Sequence, residues 1–169
     1  MRVKFLALLA AGLLLAACSS TSDESASTAG SGSTVSTGAT STTSQSLPGP
    51  TEGTQEHLLV NVGDRVFFGY DRSDLTTQAQ ATIEALATWM NTYPSVTLSV
   101  EGHCDERGTR EYNLALGERR ANAVRDYLIA LGVDPNRLTT ISYGKERPAV
   151  LGSNEEAWAQ NRRSVFVVG

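Results

Sequence analysis

"SVTLSVEGHCDERGTREYNLALGERRANAVRDYLIAL" (Ser95 to Leu131) changes its apolar period partway along, and that change decides the fold. At its start Val96, Leu98 and Val100 alternate with Thr97, Ser99 and Glu101, the two-residue spacing of a strand with one face turned inward. From about Arg110 the spacing is helical, with Leu114, Ala121, Val124, Leu128 and Leu131 on one face and Gly132 as the stop. Between the two lies "EGHCDERGT" (101–109), a loop that leaves a strand and enters a long helix.

The alternation continues on both sides. Upstream, "DRVFF" (Asp64 to Phe68) reads as a short apolar strand. It is followed by "LTTQAQATIEALATWMNTYP" (Leu75 to Pro94), where Ala79, Ile83, Leu86 and Met90 fall at helical spacing, Thr76 or Thr77 supplies an N-cap and Pro94 closes the helix. Downstream, "RLTTISYG" reads as a strand, "SNEEAWAQNRR" as a short helix and "SVFVV" as a final buried strand. The expected fold is α/β: a two-layer sandwich of βαβαβ type with a mixed sheet and a short extra helix before the last strand, over residues 58–169. No internal repeat is present.

The start of the chain is of another kind. Arg2 and Lys4 precede "FLALLAAGLLLAA" (Phe5 to Ala17), an apolar run shorter than the roughly 20 residues a spanning helix needs. Residues 1–17 therefore read as a secretory signal. "LLAAC" (Leu14 to Cys18) resembles a bacterial lipobox, which makes Cys18 the lipidated first residue of the mature chain. Ser19, in place of aspartate, resembles lipoproteins sent on to the outer membrane. Residues 18–57 are rich in Ser, Thr and Gly and nearly free of large apolar side chains, so a disordered linker is expected. A coil of that length spans about 35 Å on average and about 125 Å pulled taut.

The chain has two cysteines; with Cys18 acylated, Cys104 has no partner and no intrachain bridge is expected. Losing Arg2 and Lys4 with the signal takes the formal charge from −4 to −6. An acidic mature chain argues against electrostatic binding to nucleic acid or to anionic lipid, so the acyl group must hold the membrane.

The loop at 101–109 carries the chemistry. A helix N-terminus offers unpaired backbone N–H groups and the positive end of a dipole, suited to a carboxylate, while Asp105 is suited to an ammonium. A site with both fits a zwitterion. His103 and Cys104 do not make a thiol nucleophile and base, because neighbouring side chains on extended backbone point in opposite directions. Zinc held by His103, Cys104, Asp105 and the distant His57 matches no common ligand spacing. Neither an enzyme nor a cofactor is expected, and Cys104 reads as a small, half-buried side chain.

"EGHCDERGTREYNLALGERRANAV" (Glu101 to Val124) resembles the peptidoglycan-binding motif of the OmpA-like domain family, through Asn113, Leu116, Arg120, Ala121, Val124 and Leu128. "SYGKERPAVLG" (Ser142 to Gly152) and "NRRSVFV" (Asn161 to Val167) are similar to its lipoprotein branch. The resemblance implies non-enzymatic binding of the diaminopimelate residue of the peptidoglycan stem peptide by Asp105 and Arg120. Asp71, Arg162, Asn113 and Leu116 match further positions near that site, although Asn113 could instead orient the loop. An arginine can fork two N–H donors onto a carboxylate, and an aspartate can accept from an ammonium. The resemblance also implies an outer-membrane lipoprotein facing the periplasm, with TolB and other Tol proteins as partners and a role in envelope constriction at division. The alternative is a structural subunit of another envelope complex, a stator or secretion component, which would lack Cys18 in this setting.

Overall fold

The computed structural model describes residues 49–169; the signal sequence, Cys18 and nearly all of the Ser/Thr/Gly-rich stretch lie outside the described residues. The described part runs α1 (Gln55–Asn61), β1 (Arg65–Phe67), α2 (Thr77–Thr92), β2 (Leu98–His103), α3 (Arg110–Ala130), a 3-10 turn (Pro135–Arg137), β3 (Leu138–Gly144), α4 (Glu155–Asn161) and β4 (Arg163–Val168). The four strands form one mixed sheet in the order β1-β4-β2-β3. β4, last in sequence, is inserted between β1 and β2 and is antiparallel to both, while β2 and β3 are parallel. The chain thus has the expected α/β sandwich, with the extra helix placed before the last strand.

The period-two pattern of the strands puts Val66, Leu98, Val100 and Phe166 on the face that meets the helices. There they share one core with Ile83, Leu86 and Met90 of α2 and Ala121, Val124 and Leu128 of α3. Both long helices are capped by threonine: Thr76 Oγ1 accepts from Ala79 N at 3.2 Å, and Thr109 Oγ1 from Tyr112 N at 3.2 Å. Gly132, at φ +93°, takes the left-handed turn that ends α3.

Two details differ from the sequence reading. Leu114 is 46% exposed although its spacing assigns it to the inner face. The first turn of α3 lies over Gly144, at the C-terminal end of edge strand β3, where no further strand extends the sheet to cover it. The buried face is set by Asn113, Leu116, Gly117 and Arg120, followed by Ala121, Val124 and Leu128.

The second difference is α1, which begins at Gln55, inside the stretch read as linker to residue 57. One periodic apolar residue, Leu58, anchors it in the core. Polar contacts hold the rest: Trp89 Nε1 donates to His57 Nδ1 at 2.9 Å, and the Gln55 amide spans Phe166 O at 3.0 Å and Val168 N at 2.8 Å. Gln55 thereby pairs the backbone of β4 where β1 is too short to reach. His57 is a partner of Trp89 in the fold, far in role from the metal ligand weighed in the sequence.

Candidate binding site

β1, β2 and β3 all run toward the same end of the sheet, and their following loops gather there with the start of β4. This is the end at which sheets of parallel strands commonly hold ligands. It encloses a cavity of about 300 Å³, and α3 reaches it because β2 and α3 touch backbone to backbone. A Cβ on Gly102 would lie 1.9 Å from Gly117 O.

Arg120 is the least ordinary residue of the cavity wall. It is fully buried, and its guanidinium donates to three carbonyls: Nε to Arg72 O at 2.8 Å, Nη1 to His103 O at 2.8 Å and Nη2 to Gly69 O at 3.0 Å. Five N–H donors are available on an arginine, so one remains on each terminal nitrogen. Among the described residues no carboxylate comes within 4.0 Å of it. Burial lowers its pKa, but a guanidinium stays charged. The result is a buried cation steadied by three carbonyl dipoles and by the face of Phe68, whose ring centre is 5.1 Å from the guanidinium carbon.

Asp105 supplies the opposite charge. Its Oδ1 accepts from Arg107 N at 3.1 Å and its Oδ2 from Arg107 Nη2 at 2.5 Å, with Arg162 Nη1 3.5 Å away. Burial acts to raise its pKa, yet the hydrogen bonds from Arg107 and the charges of Arg107 and Arg162 hold the carboxyl below its usual range.

The loop between them is held from two sides. Asn113 Nδ2 donates to Arg107 O at 2.8 Å and to Thr109 O at 3.1 Å, and Lys145 Nζ donates to Glu106 O at 3.1 Å and Gly108 O at 2.7 Å. Asn113 therefore braces the loop as well as lining the cavity.

Of the six residues singled out from the sequence, Asp71, Asp105, Asn113, Leu116 and Arg120 line the cavity. Asp71 has a left-handed backbone at φ 53°, and its carboxylate accepts from the Tyr112 hydroxyl. Arg162 does not line it. It stands behind Asp105, tied by Nη2 to Glu155 at 2.6 Å and by Nε to Phe68 O at 3.1 Å.

Tyr70, Arg107 and Tyr112 line the cavity and were not foreseen. The only sequence signal for them was an arginine within the loop and tyrosines within a residue or two of Asp71 and Asn113. Cys104 is more deeply buried than expected, at 2% exposure. Its Sγ donates to Asn113 O at 3.3 Å, and burial raises the thiol to about 11, which leaves it unreactive at neutral pH. Among the described residues no three His, Cys, Asp or Glu side chains are placed to hold a metal ion.

Residues 67–162 match the OmpA family, and they contain every residue of the cavity wall. The chain belongs to the OmpA family. Within the OmpA family it is 54% identical over 119 residues to the peptidoglycan-associated lipoprotein of Rhizobium meliloti, covering 70% of this chain and 68% of that one. It is 52% identical to the protein of the same name from Agrobacterium fabrum, with 70% and 67% covered. Among solved OmpA-like structures, the peptidoglycan-associated lipoprotein from Burkholderia pseudomallei superposes with a TM-score of 0.61 at 42% identity, covering 63% of this chain and 90% of that one. The C-terminal domain of Helicobacter pylori MotB gives 0.59 at 26% identity, covering 63% and 84%.

Proposed function

We propose that this chain is a lipid-anchored envelope protein that binds peptidoglycan non-covalently, by gripping the diaminopimelate residue of the stem peptide. The observation that carries the proposal is Arg120: a buried guanidinium with no carboxylate partner among the described residues and two spare N–H donors, on the wall of a cavity that also holds Asp105. The free end of diaminopimelate bears an ammonium and a carboxylate on one carbon. A carboxylate at Arg120 offsets the cost of an uncompensated buried charge, several kcal/mol in proteins generally, and the ammonium has Asp105 beside it. Lysine at the same place in the peptide keeps the amine and lacks that carboxylate.

The names of these relatives support the same reading. The fragment "LLAAC" supports acylation at Cys18 and anchoring in the outer membrane, with the domain on the periplasmic side. Association with TolB and other Tol proteins, and a part in envelope constriction during division, extend the reading by kinship alone. A subunit of another envelope complex is the weaker alternative: the identity to MotB is 26%, against 54% and 52% to the lipoproteins.

Calorimetry with the full-length chain tests the site. A charge-assisted contact contributes roughly 1.5–3 kcal/mol, so a diaminopimelate stem tetrapeptide should bind about 10- to 150-fold more tightly than its lysine counterpart. Arg120→Lys keeps a cation but loses the fork, and the preference should shrink toward parity. An undiminished preference in that variant would place the carboxylate at another residue.

A further inference from the structure

We propose that Arg107 is a built-in counter-ion: it holds the Asp105 carboxylate in the unliganded protein and must swing aside for a ligand ammonium to enter. This deepens the reading above and rests on it. Two cations stand near Asp105, and they are held differently. Arg162, 3.5 Å away, is fixed from behind by Glu155 and by the Phe68 carbonyl. Among the described residues the Arg107 side chain has Asp105 as its one carboxylate partner, at 2.5 Å. Its remaining support is two aromatic faces, with the guanidinium carbon 4.1 Å from the centre of the Tyr70 ring and 4.0 Å from that of Trp158.

The rings come from separate parts of the chain, Tyr70 from the loop after β1 and Trp158 from α4. Together they make a slot for a flat cation beside the cavity. The backbone under this side chain is braced by Asn113 and Lys145, so releasing Asp105 requires motion of the side chain alone.

Asp105 Oδ2 is the oxygen that Arg107 occupies and the one that Arg162 faces, so an incoming ammonium competes with Arg107 for it. A ligand that brings only a carboxylate cannot take over this contact and leaves the slot closed. Arg107 thereby selects for ligands that bring their own cation, and every such ligand binds at the cost of displacing it.

Titrations of the full-length chain with a diaminopimelate stem tetrapeptide test this. Arg107→Ala should bind that peptide about 3- to 10-fold more tightly than wild type, the scale of one partly exposed ion pair with its ring contacts. The same peptide acetylated on its side-chain amine should show no such gain, because it has no ammonium to place at Asp105. Arg107→Gln, close in length and uncharged, should change in the same direction and covers the case in which the alanine variant does not fold. Of the two tryptophans, Trp89 is buried in the core, so a change in emission on binding to wild type reports Trp158 losing its guanidinium. Weaker or unchanged binding by both Arg107 variants, with binding lost in Asp105→Ala, would overturn the counter-ion role and leave the proposed function standing. Undiminished binding by Asp105→Ala would overturn the proposed function itself.

Discussion

His103 ends β2 with its ring 2% exposed and its centre 5.5 Å from that of Tyr143. Burial, and after it the positive charge of Arg163, pushes the imidazole down from 6.5 to about 4, outweighing the opposing effect of the Arg147 backbone. A lowered histidine is neutral in the fold while the unfolded chain takes up a proton, so its contribution is whole above pH 6.5 and is lost as the pH falls toward 4. By pH 4.5 the loss should reach roughly 2–3 kcal/mol. Urea denaturation at pH 7 and pH 4.5 should show that loss in wild type and a clearly smaller one in His103→Gln; equal losses would assign the acid sensitivity elsewhere. At this scale Asp105 and Arg120 were legible because their positions lie within one continuous motif. Arg107 was not, since what makes it a wall of the cavity is a pair of rings delivered from 37 residues before it and 51 after it.

The meeting of α3 with β2 is the joint on which the cavity is built. Ala at position 102 would push its Cβ to 1.9 Å from Gly117 O and 2.5 Å from Gly117 C, backbone that cannot rotate away. Gly102→Ala should therefore cost roughly 3 kcal/mol or more, in the range of severe overpacking, and should carry Asn113 and Arg120 out of place with the helix. Gly132→Ala meets nothing within 4 Å and bears only the left-handed backbone, roughly 1–2 kcal/mol. Thermal unfolding of the two variants separates these costs, and equal melting temperatures would show that the sheet and helix are not in contact as described. The long elements were legible because period and caps agreed over several turns. α1 was not: it is seven residues long, offers Leu58 alone to the core and depends on Gln55 and His57, whose partners are distant in sequence. Leu114 was misplaced for a related reason, since periodicity gives a direction around the helix but not where the sheet ends.

For the whole molecule, the element order from β1 onward could be read from the sequence, whereas the insertion of β4 between β1 and β2 could not, because strand periodicity carries no information on neighbours. If the Ser/Thr/Gly-rich stretch serves by reach alone, replacing residues 25–45 with another Ser/Gly sequence of equal length should preserve wall attachment in cells. Deleting them should impair attachment while peptide binding in solution stays unchanged. Recovery of the chain with sacculi from cells cross-linked before lysis, beside peptide titration in solution, checks this, and equal damage from both changes would mean that the stretch carries a specific signal.

The Gln55 contacts have a mechanical consequence. They lie on Phe166 and Val168, toward the end of the sheet where β2 begins, whereas the cavity sits at the other end, beyond His103 and Arg163. If the proposed N-terminal anchor and the proposed grip through that cavity both hold, the domain is pulled lengthwise along its strands. The ladders joining β4 to β1 and to β2 then resist by sliding, with many hydrogen bonds strained at once, and do not peel open one by one. Gln55 clips the incoming chain to the central strand, so tension reaches β4 directly and does not fall first on the three-residue β1.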